Sequence, residues 1–207
     1  IEFDDYAQRL DEQGRELVTF RTYTLAVCAD HVTLRNMSIV NNAGHPEEKG
    51  QEVALTVYGD CFTMEDCRLS STQDTLFLGP LPPDLIDRYD GFLADELRQD
   101  RLLCQTFRRC LIEGTVDFIF GCGNALFEDC EIRSLRDARD IGYIAAPAHS
   151  LSQTEGFLFR RCRLTCEEGV TPGTVKEAYD ALEARELIKC AVQQGAPLSA
   201  KEALRGA

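Results

Sequence analysis

No stretch of this chain approaches the roughly 18 consecutive apolar residues that a membrane-spanning helix needs, so no part of it reads as a transmembrane segment. Basic residues are in deficit. Lysine and arginine number 22 against 35 aspartates and glutamates, a formal net charge of −13. That balance argues against nucleic acid as a partner, because a phosphate backbone calls for a basic surface. It also makes a strongly anionic ligand awkward unless the binding groove is locally basic or the ligand is partly neutralised. Histidine is sparse, with His31, His45 and His149 scattered along the chain, and no paired Cys-x-x-Cys elements occur at zinc spacing. Tryptophan is absent altogether. The remainder is 44% hydrophobic and 28% charged over 207 residues, a balance that suits one ordinary globular domain. A monomer is expected.

Cysteine, in contrast, is plentiful at ten residues, and four of them mark a repeat. Met64-Glu65-Asp66-Cys67-Arg68-Leu69 recurs as Phe107-Arg108-Arg109-Cys110-Leu111-Ile112, Phe127-Glu128-Asp129-Cys130-Glu131-Ile132 and Phe159-Arg160-Arg161-Cys162-Arg163-Leu164. Leu34-Arg35-Asn36-Met37-Ser38-Ile39 matches with methionine in place of cysteine. The common form is apolar, two polar residues, Cys or Met, then an apolar residue two places on, which reads as a short strand with one buried face. Successive anchors lie 30, 43, 20 and 32 residues apart, so the shortest interval is one coil and the longer ones carry excursions. Short strands at such a period predict an all-β parallel β-helix rather than a helix-pair array. The four anchor cysteines are expected inside it as small hydrophobes. So many free thiols point to a reducing, cytoplasmic compartment. Secretion, directed by a signal peptide upstream of residue 1, is the alternative.

The same repeat aligns two carboxylates. Asp74 follows Cys67 by seven residues and Asp117 follows Cys110 by seven. Equal offsets in neighbouring coils set them one above the other, about 4.8 Å apart at the backbone. Asp137 stands at the same offset from Cys130, but Arg136 and Arg139 flank it, and an exposed ion pair is the expected role.

Two segments interrupt the strand pattern. Residues 79–100, with three prolines and five aspartates, read as a surface excursion beside the aspartates, where substrate contacts commonly sit. After Thr171-Pro172-Gly173 the pattern turns helical. Thr174 and Glu177 form a capping box, Val175, Ala178, Tyr179 and Leu182 follow at helical spacing, and Ser199 with Glu202 repeats the signature. The expected organisation is a β-helix over residues 1–173, incomplete at both ends, and a helical tail or cap over 174–207.

Four segments carry a family resemblance. Thr19-Phe20-Arg21-Thr22, Gly50-Gln51-Glu52-Val53-Ala54-Leu55, Gln73-Asp74-Thr75-Leu76 and Gly114-Thr115-Val116-Asp117-Phe118-Ile119-Phe120-Gly121 resemble, in this order, the signature segments of the pectin methylesterases (pectinesterases). The resemblance covers roughly residues 3–174. It implies a right-handed parallel β-helix that hydrolyses the methyl ester of polygalacturonate (pectin) to pectate and methanol, without metal or other cofactor. It further implies Asp117 as nucleophile and Asp74 as general acid, then base. Gln51 and Gln73 would stabilise the oxyanion, and Thr19, Gln51 and Phe118 would contact substrate. Those roles suit the residue types. A carboxylate nucleophile needs only aim and partial desolvation, and an amide donor steadies an oxyanion without adding charge. A neutral carboxylic acid protonates the departing methoxide, which two repelling carboxylates provide by retaining one proton between them.

The chain also departs from the family. A Leu-Gly-Arg-Pro-Trp segment, whose arginine orients the nucleophile, is expected after Pro172-Gly173-Thr174-Val175, where this sequence continues Lys176-Glu177-Ala178-Tyr179. An inactive or truncated β-helix that binds pectic oligosaccharides is therefore the second reading. A glycosidase using the carboxylate pair, or a lyase, is the third.

Overall fold

The computed structural model of the protein describes residues 1–44, 46–81, 101–138, 142–149, 153, 155–168, 170 and 188–191. A short strand, β1 (Glu2–Phe3), precedes the first coil. That coil consists of β2 (Leu25–Val27), β3 (Thr33–Arg35) and β4 (Ser38–Asn41). A one-turn helix, α1 (Pro46–Lys49), leads to the second, β5 (Leu55–Val57), β6 (Phe62–Glu65) and β7 (Arg68–Ser70). The third coil is β8 (Leu76–Leu78), β9 (Cys104–Arg108) and β10 (Leu111–Gly114). The fourth is β11 (Ile119–Gly121), β12 (Asn124–Glu128) and β13 (Glu131–Ser134). The fifth is β14 (Ala145–Pro147), β15 (Phe157–Arg160) and β16 (Arg163–Cys166). First, second and third strands of successive coils stack into three parallel sheets, in the orders β14-β11-β8-β5-β2, β17-β15-β12-β9-β6-β3 and β1-β4-β7-β10-β13-β16. The last member of the second sheet, β17 (Ile188–Ala191), pairs parallel with β15.

The repeat anchors stack in register. Leu34 pairs with Met64, Met64 with Phe107, Phe107 with Phe127, and Phe127 with Phe159. Alternation along each strand turns these side chains inward, where Phe107, Phe127 and Phe159 stack with ring centroids 5.0 and 4.7 Å apart. The next two anchor positions make the corner into the third sheet. Asn36, Asp66, Arg109, Asp129 and Arg161 all adopt positive φ, and the Met or Cys that follows turns into the core. Cys67, Cys110, Cys130 and Cys162 are buried, as expected for small hydrophobes, and Cys110 N–H approaches Cys130 Sγ at 3.5 Å.

Outside, the polar residue of each anchor builds a ladder of alternating charge. Arg35, Glu65, Arg108, Glu128 and Arg160 stand in successive register. Their ion pairs run Arg35–Glu65 2.8 Å, Arg108–Glu65 3.4 Å, Arg108–Glu128 3.2 Å and Arg160–Glu128 2.6 Å. Parallel strands directly opposed would otherwise bring like charges together, so the alternation removes a repulsion.

One sequence expectation needs correction. Asp137 is not an exposed ion-pair residue, because only 5% of it is exposed. The ladder runs on past β13, with Leu135 N–H donating to Gly114 O at 2.7 Å, and this holds the segment against the preceding coil. Within the expected helical tail or cap the structure describes only Ile188–Ala191, a strand that pairs with the free edge of β15. The helical pattern from Thr174 to Leu182 and most of the 79–100 excursion lie outside the described residues.

Candidate active site

The site forms where the third sheet turns into the first. After β7 the chain runs Ser71-Thr72-Gln73-Asp74 into β8, and after β10 it runs Thr115-Val116-Asp117 into β11. Inter-coil hydrogen bonds continue around this corner. Thr115 N–H donates to Thr72 O at 2.8 Å, Asp74 N–H to Val116 O at 3.0 Å, and Leu76 N–H to Phe118 O at 2.9 Å. The two aspartates therefore occupy equivalent places on adjacent coils. Both have left-handed backbones, φ 68° at Asp74 and 51° at Asp117. Such a conformation in a non-glycine residue holds only where its surroundings enforce it, and it is common at active sites.

Close packing enforces the corner. A Cβ on Gly114 would lie 2.4 Å from Phe118 Cβ and 2.6 Å from Thr75 Oγ1. Thr75 uses that hydroxyl to donate to Glu113 O at 3.0 Å. Glycine is thus required for the two coils to approach closely enough to pair their aspartates.

Burial then separates the two carboxyls. Asp74 is only 8% exposed, whereas Asp117 is half-buried. Desolvation pushes the Asp74 carboxyl well above the usual carboxylate range, and the charge of Asp117 adds to it. The Asp117 carboxyl is raised as well, by desolvation. For one proton shared between them, the more buried Asp74 is the holder and the more exposed Asp117 the anion.

The two glutamines lie at the same corner. Gln73 immediately precedes Asp74, and its carbonyl accepts Glu52 N–H at 3.0 Å, which sets Gln51 and Glu52 one coil below. The carbonyl of Gln51 accepts Ala7 N–H at 3.0 Å. Thr19 opens a single 3-10 turn, Thr19–Arg21. Thr22 latches that turn to the second coil, its hydroxyl donating to Thr19 O at 2.8 Å and accepting Val53 N–H at 3.0 Å.

Phe118 does not belong with these residues. It is fully buried in the main core, so its ring cannot reach a ligand on the surface. The ring that turns outward from this segment is Phe120, two residues on. It is half-buried and lies 4.9 Å from Phe77 in the coil below. Phe20 covers this pair, with centroids 5.1 Å from Phe77 and 6.3 Å from Phe120, and Tyr58 packs on Phe77 at 5.4 Å. This outer aromatic platform beside the aspartates is the element that motif reading overlooked. Its signal was the alternation in Leu76-Phe77-Leu78 and Ile119-Phe120-Gly121, whose aliphatic members point to the core.

A family model described as Pectinesterase matches residues 8–79 and 96–181. The chain belongs to the pectinesterase family. Among curated relatives, Pectinesterase QRT1 of Arabidopsis thaliana is 35% identical over 172 residues, covering 80% of this chain and 38% of its own length. Pectinesterase 31 of the same plant is 32% identical, covering 71% of the chain and 38% of itself. The pectin methylesterase from Yersinia enterocolitica superposes with a TM-score of 0.69 at 27% identity, covering 84% of this chain and 53% of the other. Such pectinesterases are right-handed parallel β-helices, and the stacked parallel sheets here share that fold. The chain spans less than half the length of the curated relatives it matches most strongly.

Proposed function

We propose that this pectinesterase-family chain demethylates methyl-esterified polygalacturonate, yielding pectate and methanol, by carboxylate nucleophilic catalysis. The observation that carries this reading is the asymmetric carboxyl pair, Asp74 buried and Asp117 half-buried on adjacent coils. In the first half-reaction an Asp117 oxygen attacks the ester carbon, and Gln51 and Gln73 donate hydrogen bonds to the developing oxyanion. Collapse breaks the C–OCH3 bond, and Asp74 gives its proton to the leaving methoxide, so methanol departs and an acyl anhydride to Asp117 remains. Asp74, now a carboxylate, takes a proton from water. The hydroxide adds to the acyl carbon, and the second collapse frees Asp117 as a carboxylate and the galacturonic acid, whose carboxyl then loses its proton to solvent, while Asp74 keeps the proton taken from water.

Thr19 contacts the sugar chain from the latched turn. The half-buried Phe120, backed by Phe77 and Phe20, supplies an apolar face for a pyranose ring, a role for which aromatic rings suit. One matched structure is of a pectin methylesterase in complex with a hexasaccharide, and an extended oligosaccharide fits a site laid across several coils.

The Leu-Gly-Arg-Pro-Trp segment that the family resemblance expects after Val175 is replaced by Lys176-Glu177-Ala178-Tyr179, and residues 171–187 lie outside the described structure. Incubation with highly methylated pectin tests the proposal directly. Methanol release that is lost on Asp117→Ala is the expected result. Release equal in the native protein and the variant sinks the esterase reading and leaves a pectin-binding β-helix. Shortened polymer without methanol points to glycosidic cleavage instead.

A further inference from the structure

One buried acid lies outside this mechanism. Glu52 is fully buried, directly after Gln51 and one coil below Gln73. Its backbone is tied to the catalytic corner twice: its N–H donates to Gln73 O at 3.0 Å, and its carbonyl accepts the hydroxyl of Ser71. The carboxyl reaches the other way, with Oε2 accepting Gly44 N–H at 3.1 Å. Oε1 is buried without a hydrogen-bond partner, and so is Thr72 Oγ1 on the corner.

We propose that Glu52 is a positioning residue for the ester-hydrolysis site, its buried side chain bracing the Ala43–Gly44 loop against the corner that carries Gln73 and Asp74. The proposal rests on the esterase reading of that corner. The two orphaned oxygens are its second support. A buried polar atom without a partner is costly, and here the two belong to residues on opposite sides of the same joint. Either protonation state could pair Oε1 with Thr72 Oγ1, as donor when neutral or as acceptor of the threonine O–H when ionised, so burial is what favours the neutral form. An ionised one is acceptor-only and would sit in a site with no solvent access.

The groups facing Glu52 agree with a neutral acid. Desolvation raises its carboxyl above the usual range, and this outweighs the hydroxyls of Thr72 and Ser71, the Gly44 amide and the Lys49 ammonium. Lys49 is committed elsewhere, donating to Ala43 O at 2.6 Å and lying over the Tyr6 ring at 5.2 Å. Because folding raises this carboxyl, its stabilising contribution is complete below the ordinary glutamate range and is lost as pH rises through the folded value. Loss of the proton would loosen the joint under Gln73 and Asp74.

Two variants test this, each with two readouts. Glu52→Leu removes every polar contact of the side chain, and Glu52→Gln keeps its shape with a donor and an acceptor and cannot ionise. For methanol release we expect Glu52→Leu to lower kcat about tenfold, with KM within about twofold of native. Glu52→Gln should restore kcat to within about threefold and carry activity further into the alkaline range. In unfolding by urea, native midpoints should fall relative to Glu52→Gln as pH rises. A Glu52→Leu protein as active as native, or a Glu52→Gln protein as impaired as Glu52→Leu, overturns the proposal. If the native protein releases no methanol, the esterase reading fails on its own, and the urea series still decides. Curves that diverge with pH support a neutral brace, and parallel curves overturn it.

Discussion

At the residue scale, the catalytic proposal depends on two aspartates that differ in exposure more than in sequence context. Both follow an anchor cysteine by seven residues, and that much is plain from the chain. Their unequal burial is not, since it depends on which neighbours close over each carboxyl. It sets the expected pH dependence of methanol release. Asp117 must be ionised to attack and is raised by desolvation, so the acid limb lies above the ordinary carboxylate range of about 4. Asp74 must hold its proton to release methoxide, and desolvation together with the Asp117 charge raises it further. The alkaline limb follows its ionisation together with loss of the Glu52 proton. A bell with both limbs displaced upwards is therefore expected from kcat/KM against pH. An acid limb near pH 4 would mean that Asp117 is not desolvated in the working site. Phe118 and Phe120 teach the same lesson. Both flank the nucleophile in sequence, but only the second faces outward.

At the scale of elements, the corner between third and first strands decides whether the aspartates meet. The Gly114 position admits no Cβ without contacts far below van der Waals distance, from Phe118 Cβ and Thr75 Oγ1. Gly114→Ala should therefore destabilise the protein by about 1–3 kcal/mol, the usual cost of overpacking, read as a lower urea midpoint. Activity should fall further than stability accounts for, because a shift of the corner separates Asp74 from Asp117. Activity unchanged by Gly114→Ala would show that the two carboxyls need not be held so closely. The strands themselves were readable as apolar and polar alternation around each anchor. The 3-10 turn bearing Thr19 was not, since its place beside Phe77 is set by Thr22 gripping Val53, just before β5.

At the scale of the whole molecule, charge meets product. On the proposed reaction, the net charge of −13 would oppose a polymer that gains one carboxylate at each turnover. Repulsion of this kind is screened within roughly 10 Å at about 0.1 M salt. Raising salt from about 0.02 to 0.2 M should therefore lower KM for sparsely methylated pectin and leave KM for fully methylated pectin nearly unchanged. Equal salt response for the two substrates would remove electrostatics from product discrimination. The charged ladder Arg35–Glu65–Arg108–Glu128–Arg160 should contribute little to that response, because its exposed pairs are each worth under about 1 kcal/mol.

The anchors, their spacing and the matched aspartates followed from sequence alone, because a solenoid repeats one local pattern and period-two alternation marks its inward face. Three things needed the folded chain: which carboxyl is buried, which phenylalanine faces out, and how Glu52, Thr75 and Gly114 pack around the corner. Each is a property of neighbours brought together from separate coils, and burial, unlike periodicity, has no local signature.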